Sequence, residues 1–462
     1  MLVSCVEDPR PDRLTPSPVP NTPAALGSFE LVGHEPLFGR GMNAALAVYD
    51  GYAYVGSRTD GSEGHEHAGV LVVDIRDPTK PTVVHEIGPP DEGIAGETSR
   101  ELRVWPSQHL LIVLNFPCDP GPHDCVSGRD ESMVRFYDIG GTRAKEPVLI
   151  AVYRPSLPPH EFFLWVDPED SGRAVIYMSS PSPYGDQLLV TDISGARDGR
   201  FEELATWQGE FPDPGANDAL HSLSVSEDGT RAYLAYLTAG FLVMDTADIA
   251  KGIKDPDLQL VTPVTARVQW GGWGVHSVIK IPGRELALTT DEVYSASEPG
   301  GGCPWGWARL IDIAHEETPR VLSEYRVFPF NDPAGCSDID GDTNRNASFS
   351  SHNPTATSHI AFVTWHSAGL QAFTTDRPLK PQTAAQFIPQ PLAKVTTEDP
   401  ALSSGPAKVV MWSYPIISDG LIYVVDIRNG LYVLRYRGPF EDEVHQTAFL
   451  EGNSNVGRAS YG

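Results

Sequence analysis

The sequence predicts an all-β protein, a seven-bladed β-propeller of four-stranded antiparallel blades. Three observations carry that expectation. The stretch Gly69-Val70-Leu71-Val72-Val73-Asp74-Ile75, the turn Arg76-Asp77-Pro78-Thr79-Lys80-Pro81 and the run Thr82–Ile87 read as strand, turn and returning strand. Variants recur as MVRFYDI at 133–139, QLLVTDI at 187–193, GFLVMDT at 240–246, ARLIDI at 308–313, GLQAFTT at 369–375 and GLYVLRY at 430–436. Seven copies with strand-only content and a long period mean a propeller or array. Two more apolar runs precede each copy, so every repeat supplies four strands. The first strands open at near-regular intervals, at Asn43, Arg100, His160, His221, His276, His352 and Tyr414. Only the interval from His276 to His352 is long, and the irregular insert Asn331–Asn346 accounts for it.

Taken in order, Ala44–Val48 and Tyr52–Gly56 straddle a tight Asp50-Gly51 turn in the first blade. Glu101–Val104 with Leu110–Leu114 open the second, and Glu161–Val166 with Ala174–Met178 the third. Ser222–Val225 and Ala232–Ala235 flank Glu227-Asp228-Gly229-Thr230 in the fourth. Ser277–Ile281 and Leu286–Thr290 flank Pro282-Gly283 in the fifth. Pro354–Ala356 and Ile360–Thr364 open the sixth, and Tyr414–Ile417 and Leu421–Val425 surround Asp419-Gly420 in the seventh. Phe29–Gly33 is expected to complete the seventh blade and close the ring, removing open edges. Val444–Leu450 competes for that place, and one of the two is expected to be peripheral. The chain thus divides into an N-terminal segment 1–27, a propeller 28–450 and a tail 451–462.

The 462 residues, 40% of them hydrophobic, can bury a large core. Gly 43 and Pro 41 fit a chain of many turns, because apolar strands fill the intervals between them. A net charge of −27 argues against nucleic acid or an anionic membrane as a partner. No run approaches the roughly 20 apolar residues of a membrane helix.

The LVVDI-type strand followed by D-P-x-K-P resembles the LVIVD-repeat family of bacterial surface proteins, over roughly Ser28 to Pro439 and most closely in the first blade. The resemblance implies a propeller displayed outside the cytoplasm. It implies no activity, so function has to be read from the site.

Leu2-Val3-Ser4-Cys5 resembles a bacterial lipobox, which makes Cys5 a candidate for lipidation, although Met1 leaves no room for a signal peptide ahead of it. Glu7–Pro23, rich in Pro, Asp, Ser and Thr, suits a tether. Cys118 and Cys125 share one loop, and Cys303 and Cys336 lie in neighbouring irregular segments. Four loop cysteines in an exported protein read as two disulfides. Zinc held by four thiolates is the weaker alternative, because no C-x-x-C pair exists. The expected location is the cell envelope, a surface lipoprotein or a secreted monomer, touching a membrane only through a lipid anchor.

Four of the seven first strands open with histidine: His160, His221, His276 and His352. Equivalent positions on inner strands converge on the axis, so four imidazoles can share one centre, which suits iron, copper or zinc. Carotenoid-cleaving dioxygenases hold iron by four histidines on such a fold, a likeness of architecture alone. Against this, repeats copy structural residues as readily as ligands. Glu97, Glu101, Asp291 and Glu292 lie near the same face and could orient ligands or act as bases, or simply be solvated acids. Asp338, Asp340, Asp342 and Asn344 alternate around Gly341 like a calcium loop, but without the terminal glutamate or flanking helices, so an acidic surface loop is equally open. No G-x-S-x-G elbow, H-E-x-x-H helix or Walker loop is present. Two functions follow. The first is a surface module with a four-histidine metal site, binding a small molecule or a protein at the upper face. The alternative is a metal-dependent oxygenase, oxidase, hydrolase or lyase built on that centre.

Overall fold

A computed structural model describes residues 25–88, 96–118, 125, 132–181, 187–212, 218–294, 301–328, 330–331, 347–403 and 408–458. Within them the chain is all-β, with antiparallel four-stranded sheets as its repeating unit. Glu161–Val166, Ala174–Ser179, Leu188–Asp192 and Glu202–Trp207 form one sheet, paired in chain order. The same order holds for Ser222–Val225 through Gln259–Leu260, for Ser277–Lys280 through Arg320–Tyr325, and for Pro354–Ala356 through Thr383–Phe387. Asn43–Tyr49 through Thr82–Ile87 and Glu97–Trp105 through Val148–Tyr153 are two further sets of four, joined by a single pairing of Ser57 with Ser99.

The last sheet takes strands from both ends of the chain. Its own strands are Ile416–Ser418, Leu421–Asp426 and Gly430–Arg437. Ser28–Glu35 pairs with Gly430–Arg437 on one edge, and Phe449–Leu450 pairs with Ile416–Ser418 on the other. Neither terminal segment is peripheral, unlike the expectation above, because the sheet has two edges to cover.

The aspartate of the repeated motif has a local cause. Asp74, Asp138, Asp192, Asp245 and Asp312 each end a third strand, and each Oδ1 accepts the backbone N–H two residues on, at 2.7–3.1 Å. This turn chemistry stops the strand and starts the return. Just before it the register slips in four of these sheets, at Val72/Val73, Phe136/Tyr137, Val190/Thr191 and Leu310/Ile311, and also at Ala372/Phe373 in the sheet whose third strand ends on Thr374. A bulge repeated at one place increases the twist of each sheet.

Apolar side chains fill the spaces between successive sheets. Ile279, Leu288 and Leu310 meet Ala361, Val363 and Phe373 in one such layer. Leu46, Val55 and Leu71 of the first sheet meet Ile416, Val425 and Val433 of the last. The first strands of successive sheets lie beside one another, so residues that open those strands are brought into one region.

The C-terminal segment runs across these first strands. The Asn453 carbonyl accepts Leu164 N at 3.1 Å and Arg103 Nε at 3.3 Å. Asn455 Oδ1 accepts Val166 N at 2.7 Å, and its Nδ2 donates to Val166 O at 2.7 Å and Glu227 O at 3.3 Å. Asn455→Ala strips three bonds from a mostly buried position. It should cost about 1–3 kcal/mol in urea unfolding, with the metal content discussed below unchanged.

Candidate metal centre

His160, His221, His276 and His352 occupy equivalent backbone positions. Each N–H donates to a carbonyl at or next to the end of the second strand of its own sheet: Ser179, Ala235, Thr290 and Thr364, at 2.7–2.9 Å. Their rings follow one another in an arc, with centroids 4.6, 4.0 and 4.5 Å apart. They line a cavity of about 140 Å³ together with Arg100, Glu101, Glu161, Trp273, Glu292, Tyr294 and Trp412.

Glu292 sits inside this arc. Its Oε2 lies 3.1 Å from His276 Nε2, and its Oε1 lies 3.4 Å from both His352 Nε2 and His366 Nε2. One donor atom each from His221, His276 and Glu292 lies within 4.8 Å of the others, and the same holds for Glu292, His352 and His366. His160 belongs to neither set. His366 joins from the turn after Ile360–Thr364, outside the first-strand register used to select histidines. A signal was present: Trp365-His366-Ser367-Ala368-Gly369 matches Tyr236-Leu237-Thr238-Ala239-Gly240, with histidine in place of leucine at a position of positive φ in both.

The surrounding hydrogen bonds assign the tautomers. His352 Nδ1 donates to the Trp412 carbonyl at 2.8 Å. His366 Nδ1 lies 2.9 Å from Ser348 Oγ, whose own hydrogen goes to the Val293 carbonyl, so the ring is the donor. His276 Nδ1 lies 2.8 Å from Ser277 Oγ, which donates to Asn353 Oδ1 at 3.0 Å, so this ring is again the donor. In the neutral state all three rings therefore turn an Nε2 lone pair toward one carboxylate. Glu292 Oε1 and His366 Nε2 make no hydrogen bond.

The electrostatics sharpen that conflict. Burial holds His352 and His221 well below the ordinary imidazole range and also lowers His366. Burial and then the Arg100 charge push His160 down to about 3. Burial opposes ionisation of Glu292 too, yet His276 and His352 hold its carboxyl well below the usual range. Glu292 stays ionised in this buried place only where positive charge stands beside it, on protonated His276 and His352 or on a bound cation.

The other predicted acids divide. Glu101 lines the cavity and pairs with Arg103 at 2.9 Å. Glu97 is buried against Arg135 at 2.9 Å. Asp291 takes Arg309 through both oxygens, at 2.8 and 2.7 Å, and accepts Trp270 Nε1 at 2.9 Å. Gly306 permits this packing: a Cβ there would stand 2.5 Å from that of Asp291. Glu161, beside His160, accepts the Tyr414 hydroxyl at 2.7 Å, and burial lifts its carboxyl above the ordinary range.

Cys118 and Cys125 form a disulfide. Cys303 is disulfide-bonded as well; Cys336, its expected partner, falls outside the described residues. So do Cys5 and the calcium candidates Asp338, Asp340, Asp342 and Asn344. No protein-family model matches the sequence, and no curated protein matches it.

Proposed function

We propose that this chain is a seven-bladed propeller of the LVIVD-repeat kind, its ring closed by Ser28–Glu35, and that it is an extracytoplasmic metal-dependent enzyme acting on a small molecule. The observation that carries the reading is the orientation of His276, His352 and His366. Their Nδ1 protons are committed outward and their Nε2 atoms face Glu292. Ligand histidines are held this way by their second nitrogen. Histidine with one carboxylate suits iron or zinc, and copper less well. Bound there, the metal would supply Lewis acidity or an activated water. Glu161, with its raised pKa and its bond from Tyr414, is placed on the cavity wall to hold and release a proton. Arg100 lines the same wall. The Cys118–Cys125 disulfide supports an oxidising compartment.

A second reading is a surface module that binds a ligand or partner. It rests on Trp270, Arg309, Trp307 and Arg326 stacked in alternation, each guanidinium 3.9–4.8 Å from a ring, a cation–π ladder of a kind used in recognition. Elemental analysis of the purified chain separates the two. Near-stoichiometric iron, zinc or copper that is lost in His276→Ala supports the metal centre that the enzyme requires. A metal-free protein that refuses added metal leaves only the binding module.

A further inference from the structure

Resting on the metal reading above, we propose that the centre holds two divalent cations bridged by the carboxylate of Glu292. Two separate donor sets meet at this one residue. His276 stands 3.1 Å from Oε2, with His221 beside it at a centroid distance of 4.0 Å. His352 and His366 both stand 3.4 Å from Oε1. Each set is two imidazoles and one carboxylate oxygen, mutually within 4.8 Å, a donor set that leaves coordination positions open.

A single ion leaves the residue half used. Placed between His221, His276 and Oε2, it abandons Oε1 and His366 Nε2, which are buried and already without hydrogen bonds. Placed on the other side, it leaves the His221 and His276 side uncompensated. A carboxylate that bridges through both oxygens suits ions roughly 3.5–4 Å apart, the spacing of two-metal sites, and satisfies both halves.

Charge then identifies the ligand class. Four neutral imidazoles and one carboxylate would leave two divalent cations with excess positive charge. His221, His276, His352 and Glu292 line the cavity, so ions held by them would take hydroxide or a small oxyanion from it. Two-metal sites of this kind support in-line displacement and hydrolysis.

The test is metal stoichiometry of the full chain after loading with Zn(II) and removal of excess ion. Two ions per chain are expected, falling to one in His366→Ala and to one in His221→Ala. One ion in the wild type, unchanged in His366→Ala, would overturn the bridge and leave the single-metal reading standing. No ion at all would overturn both. Should the variants fail to fold, the wild type decides alone. Loaded with Mn(II), a carboxylate-bridged pair gives the spin-resonance signal of coupled ions, whereas the signal of isolated ions overturns the proposal.

Discussion

In the metal-free chain, Glu292→Gln should be more stable than the wild type by about 1–3 kcal/mol. The wild-type carboxylate faces Nε2 lone pairs of His276, His352 and His366. A carboxamide removes the buried charge and, with its NH2 in the place of Oε1, brings N–H donors to His352 and His366. Adding metal should reverse the order. An ion that binds only the folded state stabilises it by about 4.1 kcal/mol at a thousandfold excess over Kd. The wild type should gain on that scale and lose it again with chelator, while the variant gains little. Urea midpoints of both proteins, with and without Zn(II), give all four values. If the histidines were instead protonated partners of an ordinary ion pair, the variant would lose about 3–5 kcal/mol with no metal present. That sign would end the metal reading.

Glu97→Ala should cost about 3–5 kcal/mol while leaving metal content unchanged. Glu97 and Arg135 are bonded at 2.9 Å with their side chains 0% and 2% exposed. Removing one partner leaves the other's charge buried, which is what makes such losses large. Urea unfolding beside elemental analysis checks both halves of the expectation. A loss below about 1 kcal/mol, the range of an exposed pair, would show that water or another partner takes up the Arg135 charge. A loss of metal would return Glu97 to the site.

These two acids looked alike as sequence, each beside an apolar run at the same end of a blade. Their fates differ because of what packs opposite. Arg135, on the strand Met133–Asp138, captures Glu97, and Arg309, on Ala308–Asp312, captures Asp291. Among the described residues no lysine or arginine forms an ion pair with Glu292, and its neighbours are the histidines.

What the sequence determined by itself is whatever depends on neighbours within a few residues. Alternating apolar runs specify strands, the motif aspartate specifies the turn that follows, and Asp50-Gly51 and Asp419-Gly420 specify tight reversals, with φ of 47°, 77°, 48° and 75°. Because the repeat is regular, the phase of His160, His221, His276 and His352 along their strands was legible too, and so was the close pair Cys118 and Cys125. Only the tertiary structure decided which side chains meet. His366 enters from a turn, Glu292 from a strand end, and His160 drops out of both donor sets. The segment 451–458 crosses the first strands, and both chain ends share the last sheet. These outcomes depend on contacts between residues far apart in the chain, where a shift of one strand or loop changes the partner. A local pattern specifies the direction of the backbone, but the identity of the atom 3 Å away is set by the packing of every sheet around it.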